Sequence, residues 1–96
     1  MISILKQWSK GGVTTLDRLT PKETAAVVRV DGDDAVTRRL VDLGFWPGTE
    51  VSLVRKAPLG DPGEYALRGY RLALRRGEAR RVIVLRAASE RPPEQP

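Results

Sequence analysis

The side chains of this chain that could do chemistry are cations and aromatic rings, not nucleophiles. The 96 residues contain no histidine and no cysteine, which removes the commonest general base, the thiolate nucleophile and the sulfur ligands of metals. Asp61 and Glu64 are a candidate carboxylate pair, but two carboxylates without a third ligand seldom hold a cation. We therefore expect no catalytic residue, no cofactor and no intrinsic metal site.

Arginines are concentrated around one predicted turn near the end of the chain. Lys and Arg number 17 against 12 Asp and Glu, a net charge of +5. The arginines around the turn are Arg75, Arg76, Arg80 and Arg81, and Arg38 and Arg39 of a predicted helix are candidates to join them. Guanidinium groups suit carboxylates or phosphates, so these residues are a candidate docking patch for an acidic partner or an anionic membrane surface. The alternative is an ordinary solvated basic face.

Two aromatic positions and one loop complete the candidate set. Phe45-Trp46 precedes Pro47, and we expect one ring to fill the core and the other to be exposed, as interface anchors commonly are. The alternative is that both rings pack. Leu59 lies in a loop rich in Pro and Gly, and small β barrels commonly bind peptides in grooves between such loops. The candidate partner-binding residues are Arg38, Arg39, Trp46, Leu59, Gly60, Asp61, Tyr70, Arg75 and Arg76.

A helix, a turn and a strand must position these residues. One apolar stripe falls at helical spacing, at Val36, Leu40 and Leu43. Asp33 or Asp34 can cap the start of this helix, and Gly44 favours the left-handed conformation that closes its end. Pro47-Gly48 is a turn pair, and a strand is predicted over Thr49–Lys56.

Four other segments have the pattern of short strands: Ala25–Val30, Glu64–Arg68, Tyr70–Arg75 and Val82–Leu85. Thr14–Leu19 indicates a short helical turn, capped by Thr15 and burying Leu16 and Leu19, and residues 77–81 fit a single turn. Five short strands separated by Gly and Pro turns favour a closed barrel, because closure removes unpaired edges. We therefore predict a mainly β, small SH3-like barrel of about five strands with a helix inserted after the first strand.

The composition divides the chain into three parts. Residues 1–13 form a predicted N-terminal arm around Trp8, residues 14–86 the barrel domain, and residues 87–96 a disordered tail, because they are polar and rich in proline. No apolar run approaches the roughly 20 residues of a membrane span, and the N-terminus lacks the order of a signal peptide. We expect a cytoplasmic protein.

Two stretches carry a resemblance to a known family: RRLVDLGFWPGTEVSLVRKAPLGDP (residues 38–62) and RGYRLALRRGEARRVIV (residues 68–84). The motifs L-x-x-L-G, P-G-T, A-P-L-G-D-P and R-G-x-x-L-x-L-R, in this order and spacing, resemble the FeoA family of small cytoplasmic proteins of bacterial ferrous-iron uptake. The resemblance implies an SH3-like barrel with an inserted helix. It also implies a non-enzymatic accessory that binds the cytoplasmic GTP-binding region of the ferrous-iron transporter FeoB.

Several points stay open at this stage. The resemblance leaves undecided whether the protein activates, gates or assembles the transporter, whether nucleotide controls binding, and whether the chain forms a weak homo-oligomer. The alternative function is an SH3-like nucleic-acid-binding module that uses aromatics for stacking and arginines for phosphates. The aromatics are few and fall at turns and inward positions, so we expect no nucleic-acid partner and a membrane-proximal location only through FeoB.

Overall fold

The structure is a computed structural model that describes residues 12–87. Residues 1–11 of the predicted arm and residues 88–96 of the predicted tail lie outside the described residues, whereas Val13 of the predicted arm belongs to the first strand. The elements in chain order are β1 (Val13–Thr15), a 3₁₀ turn (Leu16–Arg18), β2 (Thr24–Val30), α1 (Ala35–Asp42), β3 (Glu50–Lys56), β4 (Gly63–Leu67), β5 (Tyr70–Leu74), α2 (Arg76–Ala79) and β6 (Val82–Arg86).

The strands form one antiparallel sheet in the order β1-β6-β2-β3-β4-β5. A single core draws side chains from β2 to β6, from both helices and from the 3₁₀ turn. The buried core residues are Leu16, Leu19, Ala25, Val27, Leu40, Phe45, Val51, Leu53, Tyr65, Leu67, Leu74, Ala79, Val82 and Val84. Because nearly the whole sheet faces one interior, it must curl around it, and the predicted SH3-like class is confirmed.

Helix α1 packs its apolar stripe against the core as predicted. Leu40 is fully buried, and Val36 and Leu43 pack beside it. Of the two predicted caps, Asp34 is the one used: its carboxylate accepts from the backbone N–H of Thr37 at 3.2 Å. That bond satisfies one of the free donors of the first helical turn.

The predicted helical turn over Thr14–Leu19 is wrong in its first two residues. Val13–Thr15 pairs with Ile83–Leu85 as the short strand β1. Thr15 occupies the predicted cap position before the 3₁₀ turn, but its hydroxyl donates to Asp17 and makes no capping bond to a backbone N–H. The sheet therefore has six strands, and α1 follows the second of them. Three residues are too few to show an alternating pattern, and their partner strand lies far along the chain. The predicted burial of Leu16 and Leu19 is confirmed.

Candidate protein-docking site

An exposed aromatic patch lies where the end of α1 meets the turn between β4 and β5. Phe45 is 1% exposed and fills the core, whereas Trp46 is 44% exposed, so the pair divides as predicted. The guanidinium carbon of Arg68 lies 4.2 Å from the centroid of the Trp46 ring, within the range of a cation–π contact. We define the aromatic patch as Val41, Trp46, Arg68 and Tyr70, whose apolar members are each 40–44% exposed.

Both aromatic rings of this patch are fixed by their polar atoms. Trp46 donates its Nε1 proton to the carbonyl oxygen of Val41 at 2.6 Å, and Tyr70 donates its hydroxyl to the carbonyl oxygen of Leu43. These carbonyls belong to the C-terminal end of α1, and that of Val41 also accepts from the backbone N–H of Gly44 at 3.0 Å. The rings are therefore held in place before any partner arrives, which lowers the entropy cost of binding.

Gly44 makes the close packing beneath this patch possible. Its φ of +111° suits glycine, and a Cβ at this position would lie 2.7 Å from Cδ of Arg68. Tyr70 and Trp46 were among the predicted candidate residues, whereas Arg68 and Val41 were not. Arg68 precedes Gly69 in the turn, which is a local signal, but its contact with a ring 22 residues earlier leaves no pattern in the sequence.

A second group of candidate residues lies at the other end of β5, and we call it the loop patch: Leu59, Gly60, Asp61, Arg75 and Arg76. Leu59 is 93% exposed. Asp61 accepts from the backbone N–H of Arg76 at 2.9 Å, and a Cβ on Gly60 would lie 3.3 Å from a guanidinium nitrogen of Arg76. The loop is therefore tied to the start of α2, and its leucine points into solvent.

Two of the six candidate arginines hold the helices together. Arg39 pairs with Glu78 at 2.5 Å, and Arg81 pairs with Asp34 at 2.6 Å, so both pairs join α1 to the α2 region. The backbone N–H of Arg75, and then the Arg39 guanidinium, hold the pKa of Glu78 below its usual value. The hydrogen bond from Arg81 does the same for the pKa of Asp34. The predicted arginine patch is thus partly structural.

Seven of the nine candidate residues fall into two patches, and Arg38 and Arg39 lie outside both. Tyr70 and Leu74 begin and end β5, and four steps of an antiparallel strand span about 14 Å. The aromatic patch lies at the first end and the loop patch at the second. Arg38 and Arg39 are exposed on α1, and Arg38 donates to the carbonyl oxygen of Asp33 at 3.2 Å.

Within residues 12–87 no group of three or more acidic, His or Cys residues is placed to hold a metal ion. Across the same residues, no helix has the length and apolar character that crossing a bilayer requires. What the described surface offers is exposed aromatic, aliphatic and guanidinium groups at fixed positions. Such groups favour contact with another macromolecule.

The curled six-stranded sheet with α1 between β2 and β3 defines a small SH3-like barrel. The FeoA domain family matches residues 14–86, and the chain belongs to the FeoA family. This finding confirms the resemblance that the sequence motifs indicated.

Three related proteins show the same assignment. The chain is 35% identical over 69 residues to an Fe(2+) transport protein A/Fe(2+) transporter FeoB fusion protein of Porphyromonas gingivalis, covering 72% of this chain and 8% of the fusion protein. It thus spans a small part of that relative. The zinc-complexed FeoA of Stenotrophomonas maltophilia, a procaryotic SH3 domain protein, is 41% identical with a TM-score of 0.67, covering 74% of this chain and 88% of that one. A FeoA-like protein from Clostridium acetobutylicum is 31% identical with a TM-score of 0.76, covering 86% and 96%.

Proposed function

We propose that this protein is a non-enzymatic cytoplasmic accessory of bacterial ferrous-iron uptake, and that it acts by binding the cytoplasmic GTP-binding region of a FeoB transporter. In the P. gingivalis relative a FeoA part and a FeoB part share one chain, and domains joined in one protein commonly work together when they are separate. The S. maltophilia relative is described as a candidate activating factor of ferrous iron transport. Both descriptions favour an accessory over an enzyme.

The observation that carries the proposal is the aromatic patch. Trp, Tyr and Arg are the residues most enriched among those that dominate interface energies, and here Trp46, Arg68 and Tyr70 lie together on the surface. Their positions are fixed by one another and by two carbonyls of α1. A rigid, half-exposed indole with a guanidinium across its face is a suitable anchor for a protein partner.

The charge of the chain favours an acidic partner surface. Among residues 12–87, six exposed arginines have no carboxylate within ion-pair distance: Arg18, Arg38, Arg68, Arg75, Arg76 and Arg80. Exposed charges of this kind steer association and make its rate depend on salt. Binding should therefore weaken as ionic strength rises.

The test is calorimetry with the full-length chain and the cytoplasmic part of its own FeoB, without nucleotide, with GDP and with a non-hydrolysable GTP analogue, each at two salt concentrations. We expect saturable one-to-one binding. Trp46→Ala should weaken it by about 30-fold, the loss typical of a central anchor. Val13→Ala is the control, because it trims an apolar side chain that is 65% exposed on β1 and lies outside the aromatic patch. This variant should bind like the wild type.

Trp46 also bonds the end of α1, so its replacement could disturb the fold. Arg68→Ala removes only the cation above the ring and should still weaken binding by about three- to fivefold. No binding in any nucleotide state, or equal binding by the wild type and both patch variants, would refute the proposal.

A further inference from the structure

The strand β5 lies at one edge of the sheet. It is the last strand in the order β1-β6-β2-β3-β4-β5, and it pairs with β4 alone. Among residues 12–87, no backbone or side-chain hydrogen bond reaches the main chain of Arg71 or Ala73 from outside the ladder. Both residues are exposed. The outer edge of β5 is therefore open within the described part of the chain.

The turn before β5 fixes which main-chain groups point outward. Arg68 and Gly69 have φ of +51° and +86°, as a two-residue type I′ turn requires. In such a turn the carbonyl before the loop accepts from the N–H after it, so Leu67 and Tyr70 form a hydrogen-bonded pair. Bonded pairs then alternate along the ladder, and the register leaves the N–H and C=O groups of Arg71 and Ala73 directed away from β4.

The charges beside this edge are mainly positive. Arg71 approaches Glu64 only at 3.7 Å and stays 66% exposed, because Arg55 already holds that carboxylate at 2.9 Å. Arg68 precedes the strand and Arg75 follows it, and neither has an ion-pair partner among residues 12–87. An acidic residue opposite Arg71 would form a favourable cross-strand pair.

A groove with apolar and charged walls runs beside the same edge. It has a volume of about 490 Å³, and its apolar lining residues are Ala57, Pro58, Pro62, Leu72 and Ala73 and its charged ones Arg55, Lys56, Glu64 and Arg71. On an added strand, an apolar side chain opposite Leu72 would lie on the same face of the sheet as Leu72, which lines the groove. The acidic side chain opposite Arg71 would lie on the other face. Main-chain bonds would then supply affinity and the alternating side chains would supply selectivity, which is how extended peptides add to sheet edges.

We propose that β5 is a docking edge for an extended acidic peptide segment of a partner protein, which joins the sheet as an additional strand. The charges argue against a second copy of this chain as the occupant, since two β5 edges would bring Arg71 close to the cations of the other copy. This docking edge adjoins the aromatic patch at Arg68 and Tyr70. Its outward main-chain groups belong to Arg71 and Ala73, which are not part of that patch, so FeoB binding through Trp46 can stand or fall without it.

The test is amide hydrogen exchange by NMR on the full-length chain. The probe is an acetylated, amidated heptapeptide of alternating valine and glutamate, with a valine–lysine peptide as its charge control. In the free protein we expect the amides of Arg71 and Ala73 to exchange fast and those of Leu72 and Leu74 to exchange slowly. At saturating acidic peptide, exchange at Arg71 and Ala73 should slow by about tenfold or more, and the lysine peptide should leave it unchanged.

Two further probes separate main-chain pairing from charge attraction. The same acidic peptide with alternate N-methyl groups lacks half its donors and should bind at least about tenfold more weakly. Arg71→Glu should weaken the acidic peptide by about five- to tenfold without altering the backbone. Ala73→Pro removes an outward N–H, which an edge strand tolerates, and should prevent protection.

Three results would overturn the proposal. The first is slow exchange of Arg71 and Ala73 in the free full-length chain, which would mean that the chain itself covers the edge. The second is equal binding of the acidic and lysine peptides. The third is equal binding of the N-methylated peptide. A Trp46→Ala variant that loses FeoB binding and keeps peptide binding would support both proposals, because it would show that the two surfaces act independently.

Discussion

Replacing Gly44 by alanine should destabilise the protein and displace Arg68 from Trp46. At a φ of +111° an L-residue is strained by about 1–3 kcal/mol. The added Cβ would also lie 2.7 Å from Cδ of Arg68, closer than carbon atoms approach. Arg68 is exposed and can swing away, which forfeits a cation–π contact of about 0.5–1 kcal/mol. We expect Gly44→Ala to lower the free energy of unfolding by about 2–3 kcal/mol.

Gly69→Ala is a matched control. Gly69 has a φ of +86°, and a Cβ there would meet nothing within 4 Å, so only the backbone strain of about 1–2 kcal/mol should appear. Urea unfolding followed by far-UV circular dichroism would give both losses. The chemical shifts of the Arg68 side-chain protons, which the indole ring moves upfield, would report its position. Equal losses for the two variants, together with Arg68 shifts in Gly44→Ala that match the wild type, would refute this account of Gly44.

Three other predictions concern single side chains. Burial raises the pKa of Tyr65 to about 12, so as the pH rises this phenol ionises in the unfolded chain before it does so in the folded one. The free energy of unfolding should therefore fall by about 2 kcal/mol between about pH 10 and 12. Tyr65→Phe should remove this part of the fall, as urea titrations at pH 9 and 11 would show. The Arg75 N–H and the Arg39 guanidinium lower the pKa of Glu78. The ionised carboxylate therefore contributes to the stability of the fold at pH values above the usual glutamate pKa, and this contribution is lost as the pH falls through the lowered pKa. Glu78→Gln should therefore lower the free energy of unfolding by about 0.5–1 kcal/mol at pH 7. The difference between the variant and the wild type should be smaller at pH 3, and an equal difference at the two pH values would contradict this. Leu59 is 93% exposed, and Leu59→Ser should change the free energy of unfolding by less than about 0.5 kcal/mol, whereas a clear loss in thermal melts would show that the side chain packs.

Local pattern was sufficient to predict most of the fold. The stripe of α1, the cap at its start and the alternating strands each depend on residues a few positions apart, and such signals remain visible in the sequence. Strand β1 was not predicted, because three residues show no alternating pattern and their pairing with β6 is long-range. The family motifs then agreed with the SH3-like class that the strands and turns already indicated.

The candidate site was harder to predict, because its contacts are long-range. The position of the Trp46 ring on the surface is fixed by its contact with Arg68 and by its hydrogen bond to the carbonyl of Val41. The sequence also grouped the arginines by position, whereas the structure assigns Arg39 and Arg81 to ion pairs with Glu78 and Asp34. Which cation finds a partner depends on how α1 lies against α2, and no local rule gives that packing.

The pairing of β1 with β6 has a consequence for how this domain can be attached to others. Val13 faces Leu85 across the ladder, and opposed residues in an antiparallel pair lie about 5 Å apart. The two ends of the domain therefore lie side by side at β1 and β6. In the strand order of the sheet, these two strands are at the end opposite to β5. A linker joined to either end would tether the domain to a larger protein from nearly the same point. Such a tether turns a weak encounter into one at millimolar effective concentration, so a modest intrinsic affinity would suffice for an accessory of this kind.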